Sequence, residues 1–169
     1  DFDMLAALER CADLFIRFGG HKQAAGLTME AGRVPEFRAR INAYADEVLR
    51  RGVPIDEFAG RLSFNFNIFG NLFEQVAKFR AGRSLWAQIM KEQYGAKEPG
   101  SMWLRMIAGG GGGGLTLEQP ENNIVRGAYY ALISALSGTQ TMALCSYDEA
   151  YTIPSEKAAR ISLRTMQIL

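Results

Sequence analysis

Two short stretches of this 169-residue chain have the residue types to meet an anion or a large flat ligand. The first is Arg17-Phe18-Gly19-Gly20-His21-Lys22-Gln23. Paired glycines permit positive φ and close approach to the backbone, and a His and a Lys follow where free N–H groups can receive an anion. The same residues also read as a helix C-cap leading into a strand, with His21 exposed. The second stretch, Gly109 to Gly114, lies between an apolar run and a helical pattern. It satisfies G-x-G-x-x-G trivially, and no Lys-Ser/Thr follows to make a Walker loop. A backbone open to a flat ligand and a flexible linker are its two readings. Asn65, Asn67, Gln119, Asn122 and Asn123 sit near expected strand or helix ends and are further polar candidates. Asn122 and Asn123 are expected as first-turn residues meeting solvent.

Nothing in the sequence assembles a catalytic or metal centre. There is one His, His21, and the two cysteines, Cys11 and Cys145, belong to no C-x-x-C pattern. Reduced thiols and a cytoplasmic location are the expectation. Nineteen basic and eighteen acidic side chains leave a net charge of +1, so any phosphate binding must be local. No apolar run approaches the ~18 residues of a membrane span. The N-terminal Asp1-Phe2-Asp3 carries no basic region of a signal peptide and reads as the interior of a longer protein.

The elements that would hold these residues alternate. Leu5, Leu8, Ala12 and Phe15/Ile16 have helical spacing, so a helix is expected over 3–17, ending at Gly19-Gly20. Ala24–Met29 reads as a strand, and Pro35 suits the first turn of a helix whose face carries Phe37, Ile41, Tyr44, Ala45 and Val48. Leu62, Phe64 and Phe66 alternate with polar residues, a strand pattern. A helix capped by Asn71 follows, then a strand over 102–108, a helix opened by Pro120, a strand over 141–145 and a last helix capped by Ser155. The expected fold is α/β: a leading helix plus four βα units on a mainly parallel sheet, as a half-barrel or a small open sheet. Unpaired strand edges would invite a homodimer.

Residues 2–48 resemble the C-terminal accessory domain of DHH-family phosphoesterases, the RecJ-type single-strand-specific exonucleases. The likeness rests on Cys11-Ala12-Asp13-Leu14, Gly19-Gly20-His21, Gln23-Ala24-Ala25-Gly26-Leu27 and Phe37-Arg38. It implies phosphate or single-stranded nucleic-acid contacts at Arg17, Gly19, Gly20, His21 and Gln23. The D-H-H triplet of that family is absent. From Gly52 to Leu169 the chain resembles part of the (βα)8 substrate-binding barrel of the methylmalonyl-CoA mutase family, the cobalamin-dependent acyl-CoA mutases. Here the likeness rests on Arg61-Leu62-Ser63-Phe64, Ala77-Lys78-Phe79-Arg80-Ala81, Gln119-Pro120-Glu121-Asn122-Asn123-Ile124-Val125-Arg126, Gly138-Thr139-Gln140 and Ser146-Tyr147-Asp148-Glu149-Ala150. It implies acyl-CoA as ligand, and cobalamin as cofactor at Gly109, Gly110, Gly111, Gly112, Gly113 and Gly114. Ile107, Ala143 and Cys145 stand where better-known members carry His or Asn, and no D-x-H-x-x-G cobalamin signature is present. Together the two resemblances imply a recombined or engineered chimera of 1–51 and 52–169, packed as one domain, with no complete catalytic machinery, no metal site and at most weak nucleic-acid or acyl-CoA binding.

Overall fold

In a computed structural model that describes residues 3–22 and 24–169, the chain divides into two units, Asp1–Gly60 and Arg61–Leu169. Among the described residues no helix is long and apolar enough to cross a membrane.

In the first unit, helix α1 (Met4–Glu9) is capped by Asp3, whose Oδ1 accepts from the Ala6 amide at 3.0 Å. It does not run to residue 17 as its spacing suggested. A 3-10 turn covers Ala12–Leu14, and strand β1 occupies Phe15–His21. The reason is local composition: Phe15, Ile16 and Phe18 are aromatic or β-branched and suit a pleated surface better than a helix. Strand β1 pairs antiparallel with β2 (Ala24–Met29), from Phe15↔Met29 to His21↔Ala24. Helix α2 (Val34–Arg50) follows with Pro35 in its first turn, as expected. The Phe15 ring packs 5.3 Å from Phe18 and 5.4 Å from Phe37. Gly52, at φ +85, turns the chain after α2, and the short helix α3 (Ile55–Phe58) closes this part.

The second unit carries the parallel sheet. Its elements are β3 (Ser63–Asn67), α4 (Leu72–Glu92), β4 (Arg105–Gly110), α5 (Asn122–Ser137), β5 (Thr141–Leu144) and α6 (Glu156–Ile168). The strands lie in the order β3-β4-β5, both neighbours parallel. The mixed α/β class with a mainly parallel sheet therefore holds. The four expected βα units resolve into one hairpin plus three βα units, and the three strands do not close into a barrel. On the helix side Ile68, Phe79, Leu104, Met106, Ala108 and Ile133 form the core, with Phe64, Phe66 and Trp86 packed against it.

The helix ends follow from the residues that stop them. Gly138 adopts the left-handed conformation at φ +66 behind α5. Ser155 Oγ accepts from the Ala158 amide at 3.2 Å to start α6. Asn71 Oδ1 accepts from Phe73 and Glu74 at 3.0 and 3.2 Å to start α4. An Asn71→Ala variant is expected to lose about 1 kcal/mol of stability. The chain has two tryptophans, Trp86 and Trp103, so urea unfolding followed by their fluorescence reports the second unit alone.

Candidate functional site

Strand alternation divides the second unit's residues between two faces of its sheet. Phe64, Phe66, Met106 and Ala108 turn toward the helices and the core. Ser63, Asn65, Asn67, Arg105, Ile107, Thr141 and Ala143 lie on the opposite face and are exposed. The register sets them in cross-strand rows: Ser63 beside Arg105, then Asn65–Ile107–Thr141, then Asn67–Gly109–Ala143. A parallel sheet is ordinarily covered on both faces. This one is bare on the side that carries the carboxamides, and neither Asn65 nor Asn67 makes a side-chain hydrogen bond among the described residues.

Above the strands' C-terminal ends three loops meet. After β3, Ile68 donates its amide to Gly109 O at 2.8 Å. Gln75 draws in the Lys78 ammonium, which also lies 3.4 Å from Asn67 O. Burial pushes the Lys78 ammonium below the ordinary Lys range. After β4, Gly112–Gly114 make a 3-10 turn. After β5, Cys145 donates its amide to Gly110 O at 3.3 Å. Exposed apolar side chains stand on all three loops: Phe69, Leu117, Tyr151 and Ile153.

The glycine run is not a uniform loop, and most of its members are glycine because protein fills the space beside them. Gly109 and Gly110 belong to β4. A Cβ on Gly109 would lie 1.7 Å from Ala143 O, and one on Gly110 would lie 2.0 Å from the Tyr130 ring. A Cβ on Gly111 would meet Asn67 Oδ1 at 3.0 Å, and one on Gly114 would meet the Tyr130 hydroxyl at 2.5 Å. Burial raises that hydroxyl above the ordinary Tyr range. Gly113 has nothing within 4 Å, and Gly112 only ordinary contact at 3.4 Å with Glu149 O. The side open to an approaching ligand is therefore Gly112–Gly113. A flexible linker is excluded by the strand and turn the run forms.

Asn123 corrects the expectation that it faces solvent. It is 2% exposed and ties two loops together. Its Oδ1 accepts from the Thr116 amide at 3.1 Å and from Arg126 at 2.8 Å. Its Nδ2 donates to Thr116 O at 2.9 Å and to Tyr147 O at 3.0 Å. Asn122 is exposed and bonds Gln119 Oε1 at 2.9 Å, so these two close a turn in which Gln119 takes φ +49. Gln140 closes the Gly138-Thr139-Gln140 motif. It spans the start of β4, accepting from the Met106 amide at 3.0 Å and donating to Leu104 O at 3.2 Å.

Asp148, in the loop after β5, is 3% exposed, and its sequence neighbours carry no signal of a role beyond the Ser146-Tyr147-Asp148-Glu149-Ala150 motif. Its Oδ2 accepts from the Ser155 amide at 2.9 Å, while Oδ1 has no partner among the described residues. The Ser155 amide bond holds the Asp148 carboxyl below the ordinary Asp range. A depressed folded-state pKa gives stability that is present above the unfolded value of ~3.9 and lost as pH falls through the folded value. Acid titration followed by tryptophan fluorescence is expected to show this loss, and Asp148→Asn is expected to flatten it.

In the first unit the candidate anion contacts do not form a loop after a helix. Gly19, Gly20 and His21 pair with Gly26, Ala25 and Ala24 in the hairpin, and Arg17 Nε donates to Thr28 Oγ1 at 3.3 Å. Gln23 lies outside the described residues. Among the described residues no cluster of three or more His, Cys, Asp or Glu is placed to hold a metal ion.

A run of parallel βα units with its loops gathered at the strands' C-terminal ends is the build of βα-barrel proteins, which place their ligands there. The profile of the methylmalonyl-CoA mutase family matches residues 19–169, and the chain belongs to that family. It is 45% identical over 131 residues to the 2-hydroxyisobutanoyl-CoA mutase large subunit of Aquincola tertiaricarbonis, covering 78% of this chain and 23% of that protein. It is 42% identical over 154 residues to the methylmalonyl-CoA mutase of Cereibacter sphaeroides, covering 89% and 21%. The human mitochondrial methylmalonyl-CoA mutase is 41% identical over 126 residues, covering 75% and 17%. The chain thus spans about a fifth of the length of these curated relatives. The family match crosses residue 51 and takes in Gly19-Gly20-His21 and all of α2. It gives no support to a join at 51 or to the exonuclease likeness.

Proposed function

We propose that Arg61–Leu169 forms part of the ligand wall of a cobalamin-dependent acyl-CoA mutase, binding substrate in the whole protein and not catalysing alone. The observation that carries this reading is the bare face of the β3-β4-β5 sheet. Ser63, Asn65, Asn67 and Thr141 offer it uncharged donors and acceptors, which suit the amide-bearing chain of a CoA thioester. Arg105 is four residues from Gly109 along β4, about 13 Å at ~3.3 Å per residue. It suits the phosphate end of such a ligand, which leaves the acyl end beside the loops.

The cobalamin that the family implies is compatible with those loops. The backbone of Gly112–Gly113 is free of side chains, and Phe69 and Leu117 are exposed apolar neighbours for a flat ring. When bound, such a cofactor supplies a carbon radical by homolysis of its metal–carbon bond. The chain's own part is to present a close backbone and to help exclude water from the acyl end.

Saturation-transfer NMR with acetyl-CoA tests the reading. Saturation is expected on the pantetheine protons, and it is expected to disappear in Ile107→Glu, which puts a carboxylate in the middle of the face. No transfer, or transfer indifferent to that change, overturns it.

A further inference from the structure

We infer that the outward face of α5 is a docking surface for an amphipathic helix of a partner protein, one whose apolar seam is flanked by acidic side chains. The surface lies on the far side of the helix layer from the sheet and does not rest on the ligand-wall reading.

Helix α5 is the middle helix of the second unit's outer layer. It packs against α4 on one side and α6 on the other, so its flanks are closed by elements of the same unit. Its inner side holds Asn123, Gly127, Ala131 and Ser134, all buried. Val125, Tyr129, Leu132 and Leu136 lie on the opposite side, at the 4-3-4 spacing of a coiled-coil seam that runs about 16 Å along the helix. Val125, Tyr129 and Leu136 are each at least half exposed. The outward face of a surface helix is ordinarily charged or polar. Here Arg126 is the only charged residue in the helix, and it donates to Asn123 Oδ1 at 2.8 Å. An exposed apolar seam without a charge, in a helix whose neighbours on both sides are in place, marks a contact surface.

The charges bordering the seam select its occupant. On α4, Arg83 reaches the end of α5 and donates to Gly138 O at 2.7 Å. Arg80 and Lys91, exposed and 11 residues apart on one stripe, are the next residues outward from it. On α6, Ile161 and Thr165 line a small cavity with Ile124 and Gly127 of α5. Lys157 and Arg164, four before and three after Ile161, border the seam from that side with Arg160, and all three are exposed. The acids are few or turned away. Glu156 forms an ion pair with Arg160, Glu121 stands at the seam's N-terminal end, and Glu74 and Glu92 lie about 120° round α4 from Arg80. A second copy would set cations against cations whichever way the two seams ran, because both flanks carry the same sign. A helix with Asp or Glu beside its apolar seam meets opposite charge on both flanks, which steers its approach and fixes its register. The seam is one helix wide between charged flanks, which fits a helix better than the broad apolar face that enters a bilayer.

The test is a fluorescence-anisotropy titration of two labelled helical peptides with the whole chain. Both peptides carry leucines at 4-3-4 spacing, one flanked by glutamates and the other by lysines. The glutamate peptide is expected to bind roughly tenfold tighter than the lysine peptide, and to weaken as salt rises. Tyr129→Glu, at an exposed position, is expected to abolish binding while leaving urea unfolding read by tryptophan fluorescence unchanged. Lys157→Glu, Arg160→Glu and Arg164→Glu together are expected to make the chain bind the lysine peptide tighter than the unaltered chain does, a gain that misfolding does not produce. Equal affinity for the two peptides, or binding of neither, overturns the inference. A dimer in sedimentation that Tyr129→Glu dissociates overturns it in favour of a second copy, and binding to phosphatidylserine vesicles that the same variant abolishes overturns it in favour of a membrane.

Discussion

Gly109→Ala is expected to leave the Arg61–Leu169 unit unable to hold its sheet. The new Cβ would stand 1.7 Å from Ala143 O and 2.7 Å from the Ala143 carbonyl carbon. Both are backbone atoms of the paired strand and cannot rotate away as a side chain could. Relief requires β5 to move off β4, with loss of the pairing from Ile107↔Thr141 to Gly110↔Leu144. We expect a cost above ~4 kcal/mol, in the range reserved for gross overpacking. Gly113→Ala, four residues on with nothing within 4 Å of its Cβ position, is expected to change stability by less than ~0.5 kcal/mol. Urea unfolding read by tryptophan fluorescence separates the two. Similar losses at both positions would refute the division of the glycine run.

Asn123→Ala is expected to have the second-largest effect. The side chain is 2% exposed, and its removal leaves the Thr116 amide, Thr116 O and Tyr147 O without the partner that satisfies them. At ~1–3 kcal/mol for each buried group left unpaired, partial rescue by water still leaves a loss of about 3 kcal/mol. Asn123→Asp keeps the acceptor for Thr116 and Arg126 but removes both donations, so it is expected to fall between wild type and alanine. Hydrogen exchange gives the local readout. The Thr116 amide should lose protection in Asn123→Ala and keep it in Asn123→Asp.

The second unit was largely legible because its signals were of the kind that survives without tertiary information. Phe64 and Phe66 alternate with asparagines, and Asn71, Gly138 and Ser155 punctuate the helices where local backbone chemistry demands them. The first unit misled at Phe15 and Ile16. Their spacing from Leu5, Leu8 and Ala12 fits a helix as well as their types fit a strand, and only pairing with Ala24–Met29 decides between them. The same error put Gly19-Gly20-His21 in a loop, where it resembled a phosphate-binding turn.

The site was legible by neighbourhood and not by role. Sequence placed the glycine run at a strand's C-terminal end, but the need for glycine at Gly109 and Gly110 comes from Ala143 and Tyr130, respectively 34 and 20 residues along the chain. No local pattern reports such contacts. Asn123 was misjudged for a related reason. Its partners Thr116 and Tyr147 lie on either side of it in sequence, and the two loops converge on it only once α5 packs against β4 and β5. Asn65 and Asn67 carried a usable signal from the start: polar residues alternating with core phenylalanines on a parallel strand imply a face that something other than a helix must cover.

A photoreactive acyl-CoA, cross-linked to the chain and mapped by mass spectrometry, addresses the ligand wall most directly. Labelling is expected on residues of β3, β4 and β5 that face away from the helices, with Asn65, Ile107 and Ala143 at its centre, and is expected to be competed by unlabelled acetyl-CoA. Labels confined to the outer surfaces of α4, α5 and α6, or unaffected by competitor, would contradict the assignment of that bare face to a CoA thioester.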